Sequence, residues 1–237
     1  MTATIAITEV RRVCRDWAAR FARCRGAAER TAFFRDRLPA LLSRSDLLAQ
    51  VLQGVIDGSP APDLRQATIF ENELVLHQDP GGLFSLRLYL YGPGEVTFVH
   101  DHVSWGVSGS ACGPLAVQRY RRIDDGGSAG HARLKPEAYR LLAPVETETT
   151  LPFEQGIHRT GNPGTGTTWM LSAYGPPARH AVMQCFDIET GRVEPVFPPR
   201  VRKRRLVEQA LRGAAAASAT EPMEVGLRVD DSAILSR

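Results

Sequence analysis

The chain has 237 residues, of which 43% are hydrophobic and 23% charged, and its formal net charge is +3 at pH 7. These proportions are ordinary for a globular protein, and the charge is too small to indicate nucleic-acid binding by itself. No apolar run approaches the roughly 20 residues that cross a bilayer. Residues 1–12 lack the features of a secretory signal, and four scattered cysteines do not suggest a disulfide framework. We therefore expect a cytoplasmic protein that binds neither nucleic acid nor membranes.

Residues 1–63 are predicted to form a helical segment. Apolar residues from Val10 to Cys24 recur at intervals of three and four, which places them on one face of a helix. The same spacing predicts a second helix over residues 33–42 and a third that follows Ser45, its predicted N-cap. The prolines and glycine of residues 58–63 cannot continue a helix, so the segment ends there.

Residues 64–199 are predicted to form a mainly β barrel. Turn sequences such as DPGG, GPGE, DDGG and NPGTG separate short apolar or alternating stretches. About eight strands without an intervening helix predict an antiparallel barrel or a double-sheet jelly roll. The clearest predicted strands are residues 83–91, 98–105, 115–122, 167–174 and 181–188. Residues 200–237 are predicted to form a basic, solvated helix and a tail.

Two histidines flank one carboxylate in the stretch FVHDHVSW, which follows a turn and is predicted to be a strand. Side chains alternate on a strand, so His100 and His102 share a face, with Cα atoms about 6.5–7 Å apart, and Asp101 points the other way. Asp101 is therefore predicted to hold neighbouring backbone or a side chain. His158 in GIHRTGN is the best candidate for a third metal ligand.

Imidazole nitrogens suit divalent iron, nickel, copper and zinc, and three of them leave coordination positions open for a substrate. The alternative is that the HxH pair lies on an exposed strand and binds nothing. The remaining histidines are predicted to be solvated: His77, His131 and His180.

Glycines, prolines and histidines recur with the spacing of the two cupin motifs. Gly94, His100, His102 and Gly113 resemble the first motif, and Pro152, Gly156, His158 and Asn162 resemble the second. Over residues 67–190, the runs PGEVTFVHDHVSWGVSG, QRYRRIDDG, GIHRTGN and AYGPP resemble the cysteine dioxygenase family of thiol dioxygenases. The resemblance implies a cupin barrel preceded by a helical segment. It also implies ferrous iron, Fe(2+), held by the three histidines, dioxygen as cosubstrate, and Tyr174 as the active-site tyrosine.

The sequence departs from the cupin and thiol dioxygenase patterns in several places. Val107 stands roughly where the first cupin motif usually has a glutamate ligand. The face that ends in Tyr174 carries Met170 and Ser172, where the family has a serine and a histidine, and Ser172 is a candidate to replace the imidazole in part. Residues 69–79, which correspond to the strand with the family's carboxylate-binding arginine, contain no arginine.

Arg87, Tyr89 and Tyr91 share one face of the strand predicted at residues 83–91. If that face lines the barrel, Arg87 requires an anionic partner, and a substrate carboxylate would fit. If the leucines face inward instead, Arg87 lies on the surface. The candidate substrate-binding residues are Arg87, Tyr89, Tyr91 and Met170, and the candidate catalytic residues are Tyr174 and Ser172.

The sequence supports three functions. The first is an iron-dependent dioxygenase that converts a small thiol to a sulfinate. The second is a cupin oxygenase acting on a small molecule without a thiol, and the third is a metal-binding cupin without turnover. The absence of a carboxylate ligand argues against oxygenases that use 2-oxoglutarate. We expect a small-molecule substrate with a carboxylate, other than free cysteine, and a monomer or homodimer.

Overall fold

The structure is a computed structural model that describes residues 3–219. Contacts group the chain into two units, residues 1–198 and residues 199–237. The first unit contains three helices followed by two β-sheets. In the described part of the second unit, Pro199–Ala219 form a helix (α4), whose side chains are exposed as far as Arg212.

Three consecutive helices form the N-terminal segment, as predicted: α1 (Ala3–Phe21), α2 (Gly26–Leu42) and α3 (Ser45–Ile56). The predicted N-cap of α3 was wrong by one residue. Arg44 has the non-helical backbone conformation of a cap, and its carbonyl accepts the N–H groups of Leu47 and Leu48 at 3.0 and 3.1 Å. Ser45 is already helical. Among residues 3–219, no helix has the length and apolar content needed to cross a membrane.

Eleven strands form two antiparallel sheets, which confirms the predicted mainly β, double-sheet barrel behind a helical segment. The sheets have the orders β1-β2-β9-β4-β7 and β11-β10-β3-β8-β5-β6. The strands are β1 (Glu73–Gln78), β2 (Ser85–Tyr91), β3 (Val99–His100), β4 (Gly106–Cys112), β5 (Leu115–Arg122), β6 (Leu134–Leu142), β7 (Thr147–Thr150), β8 (His158–Gly161), β9 (Thr168–Tyr174), β10 (Gln184–Phe186) and β11 (Val193–Pro195).

Two predicted strands are shorter than expected. The stretch 98–105 forms ladder pairs only at Val99–His100, and the stretch 181–188 only at Gln184–Phe186. The Asp101 carboxylate accepts the N–H of Gln184 at 2.6 Å, while the N–H of Asp101 donates to the Gln184 carbonyl at 3.1 Å. The Asp101 side chain thus takes the place of the next backbone hydrogen bond between the two strands, and the ladder ends there.

The helices cover the outer face of the five-stranded sheet with an aromatic core. The Phe34 ring is fully buried and lies 5.0–5.7 Å from five other rings: Trp17, Phe21, Phe33, Phe84 and Trp105. Leu86 and Leu88 of β2 join this cluster. Because side chains alternate along a strand, Arg87, Tyr89 and Tyr91 face the space between the two sheets.

Replacing Phe34 with alanine tests this docking of helices onto the sheet. We expect the free energy of unfolding to fall by about 3–5 kcal/mol, because the variant loses a fully buried aromatic side chain and leaves a cavity. Urea denaturation followed by circular dichroism measures the change. Ile56→Ala is the matched control, since Ile56 is 79% exposed, and should change stability by less than about 0.5 kcal/mol. Equal effects of the two substitutions would contradict the packing.

Candidate metal centre

Three histidines from two neighbouring strands meet between the sheets. His100 on β3 is the direct antiparallel partner of His158 on β8, and His102 follows two residues after His100. The ring centroids lie 4.7–5.0 Å apart, and one ligand atom from each ring lies within 4.8 Å of the other two. Each residue is at most 6% exposed. The structure therefore brings together the three histidines that the sequence singled out.

The ring nitrogens are arranged as metal ligands would be. The Nε2 atoms of His102 and His158 lie 3.0 Å apart. Two nitrogens bound to one ion at about 2.0–2.1 Å lie about 2.8–3.0 Å apart when their bonds meet at a right angle, and about 3.3–3.4 Å apart in a tetrahedron. His100 Nδ1 donates to the carbonyl of Phe98 at 2.9 Å, which leaves its Nε2 free to bind. The separation of 3.0 Å therefore allows both nitrogens to bind one ion.

The three imidazoles are neutral near pH 7, as metal ligation requires. Burial lowers the pKa of His100 to about 4, against a small opposing effect of the Phe98 carbonyl. Burial also lowers the pKa of His102 and His158 well below the usual value, and the neighbouring histidines lower both further. Neutral nitrogen donors without a carboxylate fit a divalent transition metal.

The Asp101 side chain binds a backbone N–H group and does not face the histidines, as its position between them predicted. Its carboxylate accepts the Gln184 N–H and so joins β3 to β10 beside the site. Burial raises the pKa of Asp101 to about 6, and the Gln184 hydrogen bond partly opposes that shift. The carboxylate therefore fixes the strand that carries the ligands.

The expectation that Val107 takes the place of a glutamate ligand was wrong. Val107 is fully buried on the outer face of β4, in the core formed with the helices. Gly106 and Ser108 are the β4 residues that pair with Tyr174 and Ser172 on the inner face. Neighbouring side chains on a strand point to opposite faces of the sheet, so an error of one residue in the motif spacing places a side chain on the wrong face.

Tyr174 lies beside the metal ligands. Its ring is stacked against that of His102, with centroids 5.7 Å apart and planes inclined by 23°. Gly106 makes this position possible, since a Cβ atom there would lie 2.7 Å from the Cδ1 and Cε1 atoms of Tyr174. The tyrosine ring fills the space that any other residue at position 106 would need.

Ser172 reaches the site only through a second serine. It is fully buried, and its Oγ donates to Ser108 Oγ at 2.8 Å. Ser108, and not Ser172, lines the small cavity beside His100 and His158. Ser172 is therefore not among the described residues that line this cavity, and it contacts the lining only through Ser108.

Two cavities flank the histidines. The outer one has a volume of about 200 Å³ and is lined by His102 and Tyr174 together with Glu73, Arg87 and Tyr89. The inner one, of about 10 Å³, has room for roughly one water-sized molecule. Two further candidate substrate-binding residues line the inner cavity: Tyr91 and Met170.

The tyrosines beside Arg87 are held neutral by burial. Burial raises the pKa of Tyr89 well above the usual value, and the nearby Tyr174 and Glu73 raise it further. Burial also raises the pKa of Tyr91, whose hydroxyl forms a hydrogen bond with Thr160 Oγ1 at 3.0 Å. Both phenols therefore keep their protons at neutral pH and can act as hydrogen-bond donors.

Arg87 faces the outer cavity and already has an anionic partner. One Nη atom forms an ion pair with Glu73, and Nε donates to Ser85 Oγ at 3.1 Å. The Glu73 side chain is only 1% exposed, whereas that of Arg87 is 31% exposed. Burial raises the pKa of Glu73, while the charge and hydrogen bond of Arg87 act against that shift. A substrate carboxylate is therefore not needed to balance the arginine.

Glu73 is the residue that sequence reasoning missed. Residues 69–79 contain no arginine, and the charged residue of this stretch that lines the outer cavity is the acidic Glu73. The DPGG turn joins β1 to β2 as a hairpin, which places Glu73 opposite Tyr89 and diagonal to Arg87. This hairpin register is the feature that could have identified Glu73 as the partner of Arg87.

The three remaining histidines lie outside the metal cluster. His131 and His180 are exposed, as predicted. The prediction for His77 was wrong, because it is only 8% exposed and packs against Phe84 with ring centroids 5.7 Å apart. A register shift between Val75 and His77 turns the imidazole toward the helices.

No family model matches the chain. Among solved structures, the chain is similar to a cupin-2 domain protein of Rhodospirillum rubrum, with 18% identity, coverage of 50% of this chain and 66% of that one, and a TM-score of 0.37. A cupin-2 conserved barrel domain protein of Salinispora arenicola is 16% identical over 48% of this chain and 83% of its own, with a TM-score of 0.34. A DMSP lyase of Ruegeria pomeroyi is 10% identical over 43% and 42%, with a TM-score of 0.30.

Replacing His158 with alanine should abolish stoichiometric binding of a transition metal. Two imidazoles from one short strand cannot enclose an ion without the third ligand from β8. Elemental analysis after loading with ferrous iron under anaerobic conditions measures the metal content. His180→Ala, at an exposed histidine, is the matched control and should retain the full content. Full metal binding by the His158 variant would contradict the three-histidine site.

Removing one member of the Glu73–Arg87 pair should cost more stability than removing both. We expect Arg87→Met to lower the free energy of unfolding by about 3 kcal/mol at pH 7, because it leaves the Glu73 carboxylate buried without a partner. Adding Glu73→Gln should recover most of that loss, as measured by urea denaturation. The deficit of the single variant should also shrink toward pH 5, because Glu73, whose pKa is raised, takes up a proton. A double variant no more stable than the single one would disprove the pairing.

Proposed function

We propose that this protein is an iron(II)-dependent thiol dioxygenase that adds both atoms of dioxygen to the sulfur of a small thiol acid. The observation that carries the proposal is the convergence of three buried, neutral imidazoles beside a stacked tyrosine, at a cavity large enough for a small molecule. The resemblance of PGEVTFVHDHVSWGVSG and GIHRTGN to cysteine dioxygenases supports the same chemistry.

The donor set favours the capture of an anionic sulfur. Among the described residues, the only histidine, cysteine and acidic side chains close enough to share an ion here are the three histidines. Since all three are neutral, a divalent ion keeps its double charge and favours a thiolate. Bound ferrous iron would supply the redox chemistry that converts a thiolate and dioxygen to a sulfinate, without an external reductant.

Arg87 is suited to hold the other end of the substrate. Its second Nη atom forms no hydrogen bond with a described residue, and the side chain lines the outer cavity. A carboxylate there would accept a charge-assisted hydrogen bond. An ammonium group there would meet the positive charge of the arginine, because the Glu73 carboxylate is already paired with Arg87. The wall therefore favours a mercapto acid without an amino group over free cysteine.

Tyr174 is the side chain placed to exchange a proton with the reacting atoms. It lines both cavities, as Tyr89 does, and its ring also stacks on that of His102. Ser172 would act on the inner cavity through Ser108 and would be a positioning residue. Phe70, Pro177 and Met183 complete the outer wall and limit the entry of water.

A second candidate function is the oxidation of a small molecule without a thiol by the same centre. The observation that favours it is the serine at position 172, because its hydroxyl is bonded to Ser108 and a serine is far shorter than the imidazole expected beside the tyrosine. A metal-binding barrel without turnover is the third possibility raised by the sequence. The cytoplasmic location and the monomer or homodimer remain predictions.

Oxygen uptake by the iron-loaded protein tests the proposal. We expect 3-mercaptopropionate to drive uptake with the highest kcat/KM, cysteine to be at least about tenfold poorer and cysteamine poorer still, because only the first is an anion without an ammonium group. An oxygen electrode measures the rate, and mass spectrometry should show a product heavier than the thiol by two oxygen atoms.

Tyr174→Phe separates catalysis from metal binding. The variant should keep its iron and lose about 10²-fold or more in kcat, as expected for the removal of a proton donor. Tyr139→Phe, at a side chain that is 59% exposed on β6, is the matched control. If no thiol drives uptake by the fully loaded protein, the thiol dioxygenase proposal falls and the second or third function takes its place.

A further inference from the structure

A cleft on the opposite face of the five-stranded sheet carries two arginines that form no ion pair with a described residue. It lies between α1 and β1, has a volume of about 330 Å³, and is lined by Arg11 and Arg15 from the helix and His77 from the strand. Leu76, on its floor, belongs to the core shared with the helices. The cleft is therefore separate from the histidine site inside the barrel.

The arginines of α1 divide into two groups. Arg12 forms ion pairs with Glu9 and Asp16 at 2.9 Å on one side of the helix. Arg11 and Arg15, one turn apart, form no ion pair within the described residues. Arg11 Nε donates to the carbonyl of Leu76 at 3.3 Å, which holds its guanidinium against β1. The acidic residues of this helix are thus committed to Arg12.

His77 provides a second, independent observation. Its side chain is buried to all but 8%, and its Nε2 has no hydrogen-bond partner. Burial lowers the pKa of His77, and the charge of Asp79 opposes that shift. The Asp79 carboxylate accepts the N–H of Leu83 at 3.1 Å in the turn between β1 and β2. Buried polar atoms nearly always have a partner, so this nitrogen is open to a hydrogen bond with a group that the chain does not supply, either water or a bound ligand.

We propose that this cleft binds a tetrahedral oxoanion of the phosphate or sulfate class. Arg11 and Arg15 approach from the helix and His77 from the strand, so the donors come from two sides of the cleft. An anion with several oxygen atoms can accept from all three at once, and guanidinium groups match phosphate oxygens well. Bound there, the anion joins α1 to the strand that pairs with β2, which carries Arg87.

Calorimetric titration with inorganic phosphate tests the site. The wild-type protein should bind one phosphate saturably at constant ionic strength, and both Arg11→Gln and Arg15→Gln should weaken binding by about tenfold or more. Arg12→Gln is the matched control on the same helix and should leave the affinity within about twofold. Arg15 is exposed, and no hydrogen bond joins its side chain to a described residue, so its replacement leaves the fold intact.

Two further arms identify the site and the ligand. His158→Ala, which disrupts the metal centre, should bind phosphate normally; loss of binding there would place the anion at the metal centre and overturn the proposal. Sulfate should compete with phosphate, and acetate should bind at least about tenfold more weakly, since it has two oxygen atoms and one charge. No saturable binding by the wild-type protein, or unchanged affinity in both arginine variants, would equally overturn it.

Discussion

The pairing of β3 with β8 is the contact on which the rest of the site depends. It consists of one ladder position, His100 opposite His158, and His102 lies just past the end of the strand. Three rings can converge only because that register places the two ligand-bearing residues side by side. Asp101 secures the register from the other side through Gln184, so a short strand of two residues is fixed along both edges.

The five-stranded sheet separates two environments within a few ångströms. Its outer face presents leucines and aromatic rings to the helices, while its inner face presents hydroxyl groups, phenols and charges to the cavities. Two buried glutamates are paired with arginines: Glu73 with Arg87, and Glu148 with Arg119 and the half-exposed Arg140. Such pairing is what makes a polar interior tolerable, because an isolated buried charge is strongly unfavourable.

The helical segment, the double sheet and the three ligands could be predicted because each has a local signature. Apolar spacing identifies the helices, glycine-containing turns separate the strands, and alternation alone places His100 and His102 on one face. Features that depend on partners distant in the chain could not be read in the same way. The charge partner of Arg87 is 14 residues away, and the imidazole of His77 faces the helices only because of a bulge. The motif spacing located the glutamate position only roughly, at Val107, because spacing does not show which residues of a strand face inward.

Gly106 determines where the tyrosine ring can lie, and it does so by leaving room for it. The orientation of Tyr174 is therefore set by shape, whereas the three imidazoles are set by strand pairing and backbone hydrogen bonds. Because these two constraints are independent, the side chain at position 174 can change while the three-histidine cluster stays as it is. A barrel built in this way can alter one wall of its cavity without disturbing the other.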